Sequence, residues 1–268
     1  MDPAPPFTPA QRYFYEVNGY VQVPGVFAAA ECRRFAELAA QMDADEACAY
    51  KHEGYPKTLA LTVLSRCAWY HPHLLETALH PQLLPRMEDL IGGQVRLEEH
   101  QFLINYPDPD HPAEPGQSLD LRDERWHRGI DPGVGIYRAP GKLHTLFAKA
   151  LIYLTANGPG EGTWVVPGSH LQELPTSQLR PLLDPSLARQ LQASPGDVLF
   201  FSEALIHSLP RMYRGSPPRL SLVYGYTASF MQAWSRYDPP AEVVAGATPE
   251  QRQLLTGEAR YNFRSGKF

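Results

Sequence analysis

Two rhythms of apolar residues divide this chain of 268 residues. Up to about residue 93 the spacing is mainly helical; from about residue 95 short apolar runs alternate with proline- and glycine-rich turns. Residues 28–42, AAAECRRFAELAAQM, place Cys32, Phe35, Leu38 and Ala39 on one face, the pattern of an amphipathic helix. Thr8-Pro9 has the form of a helix cap followed by proline in the first turn; it opens AQRYFYEVN, which stops at Asn18-Gly19. Tyr20 to Val23 alternate like a short strand, and a second helical block is expected over roughly 72–91, ending at Gly92-Gly93. Beyond it, VRLEEHQFLINY, FAKALIYLT, TWVVPG, DVLFFS and RLSLVYGYTA are spaced as in a two-sheet antiparallel barrel. The expected architecture is mainly β, one domain over 1–268, with a helical layer mostly at 8–93 supporting a β core at about 95–230.

Composition narrows the function classes. Hydrophobic residues are 43% and charged residues 20%, ordinary for a globular protein, whereas 27 prolines, about twice the usual share, suit a fold rich in turns. The formal charge is −5 with no basic run, which disfavours a nucleic-acid polymer or a membrane surface as partner. No apolar run approaches a membrane span, and MDPAPPFTPAQ lacks the basic and apolar regions of a signal peptide. Cys32, Cys48 and Cys67 show no CxxC spacing, so reduced thiols in a cytoplasmic protein are expected.

Among ten histidines, His71, His73 and His80 fall in or beside the second helical block, and His170 in PGSH suits a turn. His127 and His207 differ in setting. The first follows Trp126 after a long loop; the second ends the apolar run PGDVLFFSEALIH, with Arg219 opening the next strand. Two neutral imidazoles suit a borderline metal such as Fe(II), and a carboxylate would complete a set that leaves positions open. An arginine nearby holds a carboxylate through paired hydrogen bonds.

The order of FYEVNGYVQVPGVF, HQFLINY, WHxx, GTWVVPGSH, PGDVLFFSEALIH and PPRLSLVY, over about residues 13–226, resembles the phytanoyl-CoA dioxygenase-like branch of the Fe(II)/2-oxoglutarate oxygenases. The resemblance implies a double-stranded β-helix of the jelly-roll or cupin kind, with His127 and His207 as iron ligands and Arg219 pairing with the far carboxylate of 2-oxoglutarate. Ser221, on the same strand face as Arg219, would assist, and Asn105 and Gln101 would touch cosubstrate or substrate.

In hydroxylating members of that family the motif is His-x-Asp, but here position 129 is glycine. Three readings stay open. In a halogenase, chloride occupies the volume beside Gly129, restores the missing negative charge and is transferred to an unactivated carbon; Fe(II), 2-oxoglutarate, O2 and chloride are then all required. In a hydroxylase, another carboxylate such as Asp131, Asp123 or Glu124 takes the place, although Asp131-Pro132-Gly133 already reads as a turn. The third is a barrel that binds a ligand without turnover. The halogenase is the preferred expectation, with a free small molecule as substrate and a carrier-tethered one as the alternative. A resemblance to nucleotide halogenases suggests a mononucleotide such as 2′-deoxyadenosine 5′-monophosphate. Cations and aromatics for it are sought in AYKHEGYPKTLALTVLSR, read as a lid loop, and in IYRAPGKLH: Lys51, Arg66, Tyr137 and Arg138.

Overall fold

The computed structural model describes residues 6–49, 51–52, 58, 60–110, 126–139, 141–173, 186–209, 211–232 and 238–257. It is mainly β, with helices against one face of the larger sheet. Helix α1 (Pro9–Asn18) begins as its sequence requires: Thr8 Oγ1 accepts from Gln11 N–H at 3.2 Å and the Gln11 side chain accepts from Thr8 N–H at 2.9 Å. Gly19 ends it at φ 82°, a left-handed conformation that favours glycine. Strand β1 (Tyr20–Val23) follows, then α2 (Ala29–Ala44), whose buried face is Cys32, Phe35, Leu38, Ala39 and Met42.

The helical block expected at 72–91 is broken. Pro72 starts α4 (Pro72–Ala78) and a turn through His80 and Pro81 leads into α5 (Leu84–Ile91), after the short α3 (Cys67–Tyr70). Pro81 and Pro85 each lack the N–H a continuous helix needs. The segment expected as a lid also differs: Leu61–Ser65 forms β2, an edge strand paired with β3 (Val95–Asn105). Its short apolar run carries no periodicity that separates strand from loop.

Strands β4 (Ile136–Ala139) and β5 (Lys142–Thr145) form a hairpin, followed by β6 (Phe147–Tyr153), β7 (Trp164–Val165), β8 (Arg189–Gln190), β9 (Val198–Ser202), β10 (His207–Ser208) and β11 (Arg219–Ala228). The main sheet has the order β1-β9-β6-β11-β3-β2, and a smaller one the order β10-β7-β8, all antiparallel. Period-two alternation divides each main-sheet strand between two environments. Phe102, Ile152, Phe200, Leu222, Tyr224 and Tyr226 join the core with the helices, where the hydroxyls of Tyr224 and Tyr226 each donate to a backbone carbonyl, of Leu74 and Ala78, at 2.7 Å. Leu103, Leu151, Leu199, Phe201 and Val223 face the other way and pack with Val165 of the smaller sheet. The polar residues of the site lie on that inner face.

A candidate metal and cosubstrate site

His127 and His207 are joined by their backbones. Each amide donates to the other's carbonyl at 3.0 Å, and the two ring centres lie 4.2 Å apart. The pairing is built by the smaller sheet, where β10 lies against β7, and by Ser169, whose hydroxyl accepts from Ile206 N–H at 2.8 Å. His170 beside it sits in a 3-10 turn, with Nε2 donating to the Glu16 carbonyl at 3.1 Å. His207 is buried, and its Nδ1 lies 2.9 Å from the Leu205 carbonyl. A carbonyl only accepts, so Nδ1 carries the hydrogen and Nε2 presents its lone pair, the form a metal needs. Burial above all, with His127 and Lys149 nearby, pushes the His207 pKa well down and keeps the ring neutral.

Arg219 is 1% exposed. One of its nitrogens donates to the Glu161 carbonyl at 3.2 Å, while Nε and Nη2 find no partner in the protein. Burial lowers its pKa to about 10, with Tyr153 acting in the opposite direction, so it remains a cation at neutral pH. Register places its polar neighbours: Asn105 pairs directly with Arg219, Leu103 with Ser221 and Gln101 with Val223. Asn105 Oδ1, Gln101 Oε1 and Ser221 Oγ are likewise buried without a partner. Such groups are costly unless something satisfies them. A buried arginine fork with free N–H groups beside unsatisfied polar atoms fits a dicarboxylate, and the imidazole pair fits a divalent metal.

Asn105, Gln101, His127 and His207 line one chamber of about 730 Å³. Its lining also includes the charged Glu99 and Lys149, with Glu203 behind them outside the lining. Glu99 and Lys149 both pair with Gly225, from opposite sides, and over that glycine their side chains meet, Lys149 Nζ 2.9 Å from Glu99 Oε2. Lys149 also lies 3.3 Å from Glu203 Oε1. Glu203 is 1% exposed; burial raises its pKa, Glu99 adds to the rise, and Lys149 and His127 oppose it.

The volume expected to be open beside Gly129 is filled. A Cβ there would stand 1.9 Å from Glu203 Oε2. Asp131 is exposed and opens the turn of α6 (Pro132–Gly135), its carbonyl accepting from Val134 and Gly135; it does not line the chamber. Asp123 and Glu124 lie outside the described residues. Among the described residues, no group of three or more His, Cys, Asp or Glu side chains is placed to hold a metal ion as they stand.

The four residues expected to bind substrate do not line the chamber. Lys51 Nζ donates to the Asp43 and Asp45 carbonyls at 2.7 Å, and Arg66 stacks its guanidinium on Trp69, 4.8 Å from the ring centre. Tyr137 donates to the Ile91 carbonyl and stacks on His144, and Arg138 is exposed on the β4–β5 hairpin. The chamber is lined instead by residues that include Tyr106, Trp126, Met212 and the ion pair Arg211–Asp108, 2.8 Å. One signal for Lys149 and Glu203 was present in the sequence, since each is a charge within a largely apolar run; Glu99, between Glu98 and His100, carries no such mark.

The family model for phytanoyl-CoA dioxygenase (PhyH) matches residues 15–208. The chain belongs to the PhyH family. Solved structures with the same fold include HygX from Streptomyces hygroscopicus with nickel, 2-oxoglutarate and hygromycin B bound, at 25% identity and TM-score 0.67 over 88% of this chain and 94% of that one. The epimerase SnoN, in complex with Fe3+, alpha ketoglutarate and nogalamycin RO, is 20% identical with TM-score 0.59 over 82% and 83% of the two chains. EctD from S. alaskensis in its apoform is 20% identical, TM-score 0.64, over 86% and 80%. No curated protein matches the chain. PhyH membership makes this an oxidoreductase family of the Fe/2-oxoglutarate type, and no helix among the described residues is long and apolar enough to cross a membrane.

Proposed function

We propose that this PhyH protein oxidises an unactivated C–H bond of a free small molecule, with Fe(II) held by His127 and His207 and 2-oxoglutarate anchored by Arg219. Two observations support this reading: the imidazole pair lines the chamber with Asn105 and Gln101, and buried Arg219, in register with Asn105 although it does not line the chamber, keeps Nε and Nη2 without a partner in the protein. Iron with 2-oxoglutarate and O2 would supply a two-electron oxidation of the substrate, C–H to C–OH or ring closure with water, giving succinate and CO2 as coproducts. The chain's own residues bind and orient. His207, neutral and fixed through Leu205, keeps Nε2 available; Arg219 offers a fork for one carboxylate; Asn105, Gln101 and Ser221 offer hydrogen bonds beside it. Leu61, Val63, Leu209 and Met212 exclude water and favour a substrate with a substantial apolar surface.

Chlorination, with chloride as a further ligand, is a second reading, and Gly129 is the feature in its favour. Against it stands Glu203: a halide at Gly129 would touch a buried carboxylate, a repulsive contact between anions. A mononucleotide substrate has less support than an apolar one. The chamber cations Lys149 and Arg211 each face a carboxylate already, and phosphate would have to compete for them.

The test is turnover of 2-oxoglutarate to succinate without substrate. It is expected to require added Fe(II) and to fall to background in His207→Ala. A product screen by mass spectrometry in chloride buffer then separates the two readings, a gain of oxygen or loss of two hydrogens supporting oxidation and a chlorine isotope pattern supporting halogenation. Absence of iron-dependent succinate in the wild type would reject both.

A further inference from the structure

Resting on the oxygenase reading above, we propose that Glu203 is the carboxylate ligand of the metal, delivered from the end of β9 into the space that Gly129 leaves empty. The metal-binding sequence of this chain would then be His127-x-Gly129 with Glu203-x-x-x-His207, in place of a carboxylate next but one to the first histidine.

Three observations converge on it. The first concerns why position 129 is glycine. Gly129 is not among the glycines with positive φ, so the backbone there would accept an L side chain without strain. What one would meet is Glu203, whose Oε2 stands 1.9 Å and whose Cδ stands 3.0 Å from an added Cβ, so the carboxylate would have to move away. The carboxylate therefore lies where a side chain from residue 129 would begin.

The second is that the backbone locks these residues side by side. The amides of Gly129 and Ile130 both donate to the Glu203 carbonyl, at 2.8 and 3.3 Å, and Glu203 N–H donates to Phe147 at 3.0 Å. Together with the His127–His207 bridge, these bonds hold the iron motif against the 203–207 turn.

The third is reach. Glu203 Oε1 lies 3.7 Å from His207 Nε2, the nitrogen whose lone pair is available, so one ion can touch both with small adjustments. The partly open position is His127, which is exposed while its backbone is fixed. Rotation of that ring about its side-chain bonds would complete two imidazoles and one carboxylate, the donor set that suits Fe(II) with positions left for cosubstrate and oxygen. Lys149, shared with Glu99, remains beside the carboxylate and orients it.

The experiment moves the carboxylate. Anaerobic Co(II) binding to the full chain is measured by competition with a coloured chelator and by visible absorption, in chloride and in sulfate buffer. Wild type should bind with the same affinity and spectrum in both. Glu203→Gln should lose more than tenfold in affinity and change the spectrum. Gly129→Asp alone should also bind poorly, because two carboxylates compete for one space, whereas Gly129→Asp combined with Glu203→Ala should return to within tenfold of wild type. That rescue distinguishes a ligand from a residue that merely supports one. A Glu203→Gln loss of tenfold or less, or a wild-type spectrum that shifts with chloride, overturns the assignment. If the double variant is unfolded by its thermal melt, crystals of wild type grown with Co(II) decide: a Glu203 oxygen bonded to the metal supports the proposal, and a halide or water in its place overturns it. Failure of the oxygenase reading looks different. In that case wild type binds no Co(II), or His207→Ala binds it undiminished.

Discussion

The two faces of the main sheet are built from alternate residues of the same strands and obey opposite rules. On β11, Leu222, Tyr224 and Tyr226 point to the helices and are fully packed, their hydroxyls bonded to carbonyls. Arg219 and Ser221, on the other face, are equally buried yet keep polar atoms without partners. On β11 the helix-side hydroxyls are satisfied by the protein alone. On the other face of the strand, polar atoms are left over for something else to satisfy, as expected of a binding site and not of a core at equal burial.

Mutations on the two faces should therefore separate stability from ligand binding. Phe200→Ala, on the helix side against Phe7, is expected to cost about 3–5 kcal/mol in urea unfolding while leaving the affinity for 2-oxoglutarate in the surviving folded protein nearly unchanged. A comparable loss of affinity would break the comparison. Arg219→Leu should do the reverse. It removes a buried cation that the protein only partly satisfies, so the melting temperature without ligands should hold or rise. The rise in melting temperature that metal plus 2-oxoglutarate gives the wild type should vanish, matching a loss of about 2–5 kcal/mol in cosubstrate binding.

A smaller effect concerns acid. Burial lowers the pKa of His170 to about 4, against an ordinary value of 6.5, with the Glu16 carbonyl opposing the shift. Between these values the unfolded chain takes up the proton more readily than the folded one, so stability should decline as pH falls from about 6.5 towards 4 and level off below. His100, lowered to about 3 by burial and by Arg66, adds to the decline. His170→Gln, which retains a donor for Glu16, should flatten the wild-type slope by on the order of 2 kcal/mol between pH 7 and 5 in urea midpoints. An unchanged slope would mean that His170 is accessible to water in the folded state.

Much of this was legible before the fold was known. The helix at Ala29–Ala44, the cap at Thr8 and the strand alternation that sends Arg219 and Ser221 to one face are local or periodic properties, decided within one or two turns of chain. The lid assignment and the substrate residues were not. Lys51, Arg66, Tyr137 and Arg138 have the chemistry a substrate would need, but a cation or an aromatic ring carries no mark of which side of the sheet its segment will join. Leu61–Ser65 became an edge strand because β3 offered it hydrogen bonds, an offer invisible from the segment itself.

What the sequence by itself determined is the ordered set of motifs over residues 15–208 that places this chain in the PhyH family, His127 and His207 among them, because their types and spacing are local facts. What only the tertiary structure shows is what lies beside Gly129. Read along the chain, a glycine is a missing side chain and an invitation to a halide; packed against the end of β9, it is the room occupied by the Glu203 carboxylate. The reason is physical: volume and charge at a buried point are set by every segment that reaches it, and no single segment contains that sum.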